Sequence, residues 1–145
     1  MNNRKLMYVY IGLLVVMNSL YFALEIYKHT IRNEWMNEVR TETAAFIELS
    51  SLGVWTSAIE ILISLLFLVV VIWIIKKQRN DLMKFTSINL VLFAVFSASG
   101  VLIASIFGMA VGNLLQQIAG PFVIILFLMA YQGMTMVLTR RHKLQ

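Results

Sequence analysis

The sequence contains no cysteine, one proline, two histidines and seven acidic residues in 145 positions. The absence of cysteine excludes disulfide bonds, thiolate metal sites and a cysteine nucleophile. With so few histidines and acids, neither a metal centre nor another cofactor is predicted. One proline and seven glycines also exclude fibrous and low-complexity architectures. The charged fraction is 13%, well below the quarter or so that is usual in soluble proteins.

The sequence is instead rich in apolar residues, which make up 60% of it and give a mean hydropathy of +0.82. A soluble domain of this size cannot bury so much apolar surface in one core. The net charge of +5 reflects a scarcity of acids in a membrane-like composition, so nucleic-acid binding is not predicted. The composition predicts an all-α integral membrane protein whose main partner is the lipid bilayer.

Four apolar runs are long enough to cross a hydrocarbon core, which requires about 20 residues of helix. They form a single transmembrane domain and cover residues 6–27, 55–75, 85–111 and 118–138. The last two runs are parts of one long uncharged stretch, which Asn113, Gln116 and Gln117 divide into a helical hairpin. Pro121 would then fit the first turn of the fourth helix. If that helix begins at Asn113 instead, Pro121 lies inside it and should kink it.

The basic residues predict the orientation of this four-helix bundle. Nine of them flank the inner ends of the spans: Arg4, Lys5, Lys76, Lys77, Arg79, Lys84, Arg140, Arg141 and Lys143. Three lie between the first two spans: Lys28, Arg32 and Arg40. This bias predicts cytoplasmic termini and an inner loop at 76–84, and suits a bacterial plasma membrane. Trp35 and Trp55 should mark the outer interface, and Trp73 the inner one.

Residues 28–54 form the one sizeable segment outside the predicted spans, and we expect it to be an outer amphipathic helical segment. Glu34, Glu38 and Glu42 recur in it every four residues, beside an apolar stripe that includes Trp35. Such a row could bind a cationic extracellular peptide or other ligand. The alternative is an ordinary solvated helix face.

Two further acids lie in or beside apolar runs, where an acid is by default a candidate for function. Ser57 and Glu60 have the spacing of a capping box, which would place Glu60 in the first turn of the second span. Glu25 could form a local pair with Lys28 on the same helix. Alternatively, Glu25 and Glu60 could form an ion or proton site at the outer mouth of a channel.

Small residues recur at every fourth position of the third span, at Gly100, Ala104, Gly108 and Gly112. Such a stripe allows two helix backbones to approach closely, which promotes helix packing in membranes. The partner helix could belong to the same chain, to another copy in a homo-oligomer or to another membrane protein.

Three isolated polar residues lie within the spans, at Asn18, Asn89 and Gln132. Polar side chains in membrane helices commonly form hydrogen bonds to a neighbouring helix. We therefore predict a packing role for them.

The sequence offers no catalytic motif. It lacks the G-x-S-x-G, Walker A and H-E-x-x-H patterns, and His29 and His142 are predicted on opposite sides of the membrane. We therefore predict a non-enzymatic binding protein, an accessory or immunity factor that antagonises a toxin through its acidic outer face. The alternative is a homo-oligomeric ion or proton channel, or a small transporter.

Overall fold

In a computed structural model the chain is a bundle of four helices, which confirms the predicted fold class. The structure describes the backbone of residues 3–77 and 81–142 and the side chains of residues 5–77 and 81–134. Residues 78–80 of the predicted inner loop, which include Arg79, and the side chains of Arg4, Arg140, Arg141 and Lys143 lie outside the described residues. The helices are α1 (Asn3–Met36), α2 (Glu42–Lys77), α3 (Leu82–Phe107) and α4 (Val111–His142). All four are long and apolar enough to span a membrane, and the chain is an integral membrane protein.

The helices pack in an order that differs from their order in the chain. α1 packs mainly on α2, and α4 lies between α2 and α3. The connections 37–41 and 108–110 lie at the same end of the bundle, which we call the outer end after the predicted orientation. α2 ends and α3 begins at the opposite, inner end.

Aromatic side chains from three helices fill the inner half of the bundle. The ring of Phe67 lies 5.7 Å from that of Phe85 and 5.8 Å from that of Phe93, and Tyr10 lies 5.7 Å from Phe85. The Tyr10 hydroxyl donates a 2.5 Å hydrogen bond to Oδ1 of Asn89. The inner half is therefore a packed aromatic core in which the polar atoms bond to each other.

The first two helices extend well beyond the third and fourth at the outer end. Trp55 and Trp73 are 18 positions apart on α2, which corresponds to about 27 Å of helix and agrees with the thickness of a hydrocarbon core. α2 begins 13 residues before Trp55 and so extends about 20 Å beyond it. We call residues 28–54, the ends of α1 and α2 with their connection, the outer hairpin.

The outer hairpin corresponds to the predicted outer segment, but it is not a separate helix. Its chain reverses at 37–41, where Glu38 adopts a left-handed conformation with φ of 58°. Trp35 lies seven positions beyond Lys28, whereas Trp55 is adjacent to Thr56, the residue that Lys28 contacts. Trp35 and Trp55 are thus about 10 Å apart along the helix axes, and their position at the outer interface stays a prediction.

The predicted stripe of four small residues is divided between a helix, a turn and a second helix. α3 ends at Phe107 because Gly108 takes a left-handed conformation with φ of 65°, and Met109 then donates its backbone N–H to the Ala104 carbonyl. The predicted third span, which extended to residue 111, was therefore too long. Gly112 belongs to α4.

Only the first part of the stripe forms a tight interface, and its partner is within the chain. A Cβ atom at Gly100 would lie 3.2 Å from Cδ2 of Leu115 and 3.3 Å from the Leu114 carbonyl oxygen. Ala104 is also buried. A Cβ atom at Gly112 would meet nothing within 4 Å. Close packing between α3 and α4 thus involves Gly100 and Ala104.

Candidate functional site

The three acids of the predicted row do not share a helix. Glu34 lies on α1, Glu38 in the connection and Glu42 at the first position of α2. The predicted four-residue row assumed one continuous helix and is wrong for this reason. Trp35 is exposed near the tip of the outer hairpin.

Arg40 connects acids from both helices of the outer hairpin. Its Nη2 atom lies 3.0 Å from Oε2 of Glu34, and its Nη1 atom donates to Oε2 of Glu48. Tyr27 donates a 2.6 Å hydrogen bond to the other oxygen of Glu48. Partial desolvation lowers the pKa of Arg40, but the carboxylates of Glu48 and Glu34 outweigh this effect and raise the pKa above its ordinary value. Arg40 thus neutralises part of the acidic surface that was predicted to bind a cationic ligand.

Replacing Arg40 by glutamine should loosen the 37–41 connection while leaving the bundle folded. The side chains of this network are about one-third exposed, and exposed ion pairs contribute little to global stability. We expect faster amide hydrogen exchange in residues 37–48 and an almost unchanged melting temperature. Equal exchange rates in the wild type and the variant would show that the network does not hold the connection.

Glu25 is neutralised by a partner on its own helix. It is only 4% exposed, and its Oε1 atom lies 2.6 Å from the Lys28 Nζ atom. Nζ also lies 3.5 Å from the Thr56 hydroxyl of α2. The predicted local pair is confirmed, and the pair leaves Glu25 poorly suited to bind another cation.

The environment of Glu60 on α2 differs from that of Glu25. α2 begins at Glu42, so Ser57 and Glu60 lie in the middle of a helix and cannot form the predicted capping box. Glu60 instead accepts a 3.0 Å hydrogen bond from the Tyr21 hydroxyl of α1. Among the residues that the structure describes, Glu60 forms no ion pair. A carboxylate in a membrane helix without a counter-ion is costly, and a cation bound beside it would offset that cost.

The Tyr21 hydroxyl also lies near α4, where the backbone carbonyl oxygen of Asn113 is 2.8 Å away. One turn along each helix, Nε2 of Gln117 donates a 3.4 Å hydrogen bond to Oδ1 of Asn18. α1 thus forms a polar floor between α2 and α4. The predicted packing role of Asn18 is confirmed, as are those of Asn89, which bonds to Tyr10, and Gln132, which bonds to Thr86.

A cleft of about 360 Å³ lies between α2 and α4 and opens on the side of the bundle. Glu60, Gln116 and Gln117 lie at its outer end beside Ile61, and the side chains towards its inner end are apolar. Its lining residues are Glu60, Ile61, Ser64, Leu65, Leu68, Gln116, Gln117, Gly120 and Ile124. From Glu60 to Leu68 the cleft follows about 12 Å of α2. In the predicted orientation, the polar end of the cleft therefore lies on the headgroup side of the outer leaflet, and its apolar end lies towards the bilayer centre.

Two residues of α4 shape the cleft. A Cβ atom at Gly120 would lie 2.6 Å from the Ser64 hydroxyl oxygen, so glycine allows α2 and α4 to approach here. Pro121 is buried inside α4, which begins ten residues earlier at Val111. The predicted position of Pro121 in a first helical turn is wrong, and the alternative in which it lies inside the helix is correct.

Sequence reasoning missed Tyr21 and Gln117 as members of a site. Tyr21 appeared to be one apolar residue in an apolar span, and Gln117 appeared to belong to a turn. A signal was nevertheless present, because Asn18, Tyr21, Glu25 and Lys28 recur at intervals of three or four residues and so share one face of a helix.

No family model, curated protein or solved structure matches this chain.

Proposed function

We propose that this chain is a non-enzymatic membrane protein that binds a cationic ligand with an apolar body in the cleft between α2 and α4. The observation that carries the proposal is the position of Glu60, an acid without an ion-pair partner in the described structure, at the polar end of an otherwise apolar cleft. A cation at Glu60 would supply the missing charge, and its apolar part would pack against Leu65 and Leu68. The Tyr21 hydroxyl of the floor lies within hydrogen-bond distance of the carboxylate.

The side opening of the cleft supports a ligand that enters from the outer leaflet. Cationic amphiphiles and membrane-active peptides lie with their charge near the headgroups and their apolar part towards the bilayer centre. The cleft has the same polarity if the basic inner loops face the cytoplasm of a bacterial cell. By holding such a molecule, the protein would act as an accessory or immunity factor that lowers its free concentration in the membrane.

A channel or transporter is the second candidate, because the buried polar residues Asn18, Tyr21 and Glu25 follow one face of α1 from the outer end. Towards the inner end, the same face of α1 carries the apolar Leu14 and packs against the aromatic core. A packed apolar core favours binding over conduction through a single copy. Ion or proton flux through liposomes containing the purified protein, lost in a Glu60→Gln variant, would favour the second candidate.

The proposal predicts that Glu60→Gln weakens binding of dodecylammonium at least tenfold. Hydrogen bonds to a charged group contribute about 1.5–3 kcal/mol, and 1.4 kcal/mol corresponds to a factor of ten. Calorimetric titration of the protein in lipid nanodiscs, with empty nanodiscs subtracted, measures the affinity. Dodecanol, which has the same chain without the charge, should show no saturable binding.

Glu42→Gln is the matched control, because it removes an exposed acid from the start of the same helix. It should bind dodecylammonium as the wild type does. Equal affinity of the Glu60→Gln variant and the wild type, or equal binding of dodecanol and dodecylammonium, would overturn the proposed function.

A further inference from the structure

A side chain at the polar end of the cleft, that of Gln117, carries a buried hydrogen-bond acceptor without a partner in the described structure. Its side chain is 1% exposed and lines the cleft. Its Nε2 atom is engaged by Asn18 of α1, whereas its buried Oε1 atom has no hydrogen-bond partner. Buried acceptors in native proteins are nearly always paired with protein or water, so the unpaired oxygen of Gln117 can accept a hydrogen bond from a bound N–H group.

Pro121 frees a second acceptor at the same residue. In a regular helix the N–H of residue 121 would donate to the backbone carbonyl of Gln117, four positions earlier. Proline has no N–H, and so α4 cannot supply this bond. The Gln117 backbone carbonyl therefore lacks the intrahelical donor that residue 121 of a regular helix would supply.

Glu60 can also accept further hydrogen bonds. Its Oε1 atom receives the Tyr21 hydroxyl, but that hydroxyl has a single proton and lies at 2.8 Å from a second acceptor, the Asn113 carbonyl oxygen. A ligand N–H can replace Tyr21 at Glu60, and Tyr21 then donates to Asn113. The carboxylate becomes available without leaving the tyrosine unpaired.

The chemistry of the cleft also distinguishes between classes of cation. The residues that line it, among those the structure describes, include no phenylalanine, tyrosine or tryptophan, and Tyr21 in the floor contacts Glu60 through its hydroxyl group. Quaternary ammonium groups have no N–H and are recognised mainly by aromatic rings. A primary ammonium group has three N–H donors, which match the carboxylate and carbonyl oxygens of Glu60 and Gln117.

The geometry points to a site that selects a primary ammonium group on an apolar chain over a quaternary ammonium group on the same chain. This inference rests on the proposed function and specifies its ligand class. Glu60 supplies the negative charge, Gln117 supplies the selectivity for N–H donors, and Leu65, Leu68 and Ile124 contact the apolar chain.

Dodecylammonium and dodecyltrimethylammonium test the selectivity because they share a chain and a charge. In nanodisc titrations the wild type should bind the primary amine about tenfold more tightly. Gln117→Leu should reduce this preference to about threefold or less, while binding of the quaternary ion remains close to that of the wild type. Because Gln117 is buried, Ser64→Ala, which removes a hydroxyl from the cleft wall, serves as a second variant and should keep most of the preference.

The outcomes separate this inference from the proposed function. Equal affinity of the wild type for the two amines, with loss of both in Glu60→Gln, would overturn the selectivity and leave the proposed function standing. An unchanged preference in a folded Gln117→Leu variant would show that Gln117 is not the selective residue. Binding of neither amine by the wild type would overturn both.

Discussion

Lys28→Met should destabilise the protein by about 3 kcal/mol, the largest effect we expect from a single change outside the cleft. Glu25 is almost fully buried and has Lys28 as its counter-ion at 2.6 Å. Removing one partner of a buried ion pair costs about 3–5 kcal/mol because the other charge remains buried and uncompensated. Lys28 is partly exposed, which places the expected cost at the lower end of that range. Equilibrium unfolding of the purified protein in mixed micelles measures it.

The double variant Glu25→Gln/Lys28→Met distinguishes charge from packing. It removes both charges, and we expect it to recover most of the stability lost in Lys28→Met. A double variant as unstable as Lys28→Met would mean that the lysine stabilises through its aliphatic chain. Arg40→Met, which breaks the exposed network of the outer hairpin, is the control for loss of a positive charge and should change global stability little.

Gly100→Leu should be the second most damaging change. A Cβ atom at this position already lies 3.3 Å from a backbone oxygen of α4, and backbone can yield only by moving the helix. Inserting extra atoms into a packed interface typically costs about 1–3 kcal/mol, and a leucine side chain at a backbone contact belongs at the upper end. We expect a lower melting temperature and weaker protection of amides in α3 and α4.

Gly112→Leu is the matched control for Gly100→Leu. Both glycines belong to the predicted stripe, but a side chain at Gly112 would point into open space. Its melting temperature should stay close to that of the wild type. Similar losses in the two variants would contradict an interface confined to Gly100 and Ala104. Gly108 would be a poor choice for this test, because its left-handed conformation makes any side chain strained for reasons of backbone geometry.

The sequence was sufficient to predict the fold class because apolar length and the scarcity of charge are properties of composition. It predicted helix ends less well, and for identifiable reasons. Gly108 ends α3 where the apolar run continues, since the left-handed cap stops a helix regardless of hydropathy. α4 begins at Val111, before the polar residues taken to mark a turn, because asparagine and glutamine in a membrane helix can bond to a neighbouring helix.

Of the residues in the candidate site, the sequence indicated Glu60 but not Tyr21 or Gln117. Glu60 stood out as an acid in an apolar run, but its spacing to Ser57 suggested a capping box because the start of α2 was placed 13 residues too late. Tyr21 and Gln117 come from other helices. Their approach to Glu60 depends on the packing order of the bundle, which hydropathy does not encode. Glu25 was easier to interpret, because its partner is three positions away on the same helix.

Because the cleft opens on the side of the bundle, the fraction of protein with a bound ligand depends on how much ligand the lipid contains. A ligand that enters between α2 and α4 comes from the lipid, so it searches for Glu60 by diffusion in two dimensions. The relevant quantity is then its mole fraction in the leaflet and not its concentration in water. A molecule with weak intrinsic affinity can fill the site once the bilayer has accumulated it, and a dissociation constant measured at one lipid concentration would not transfer to another.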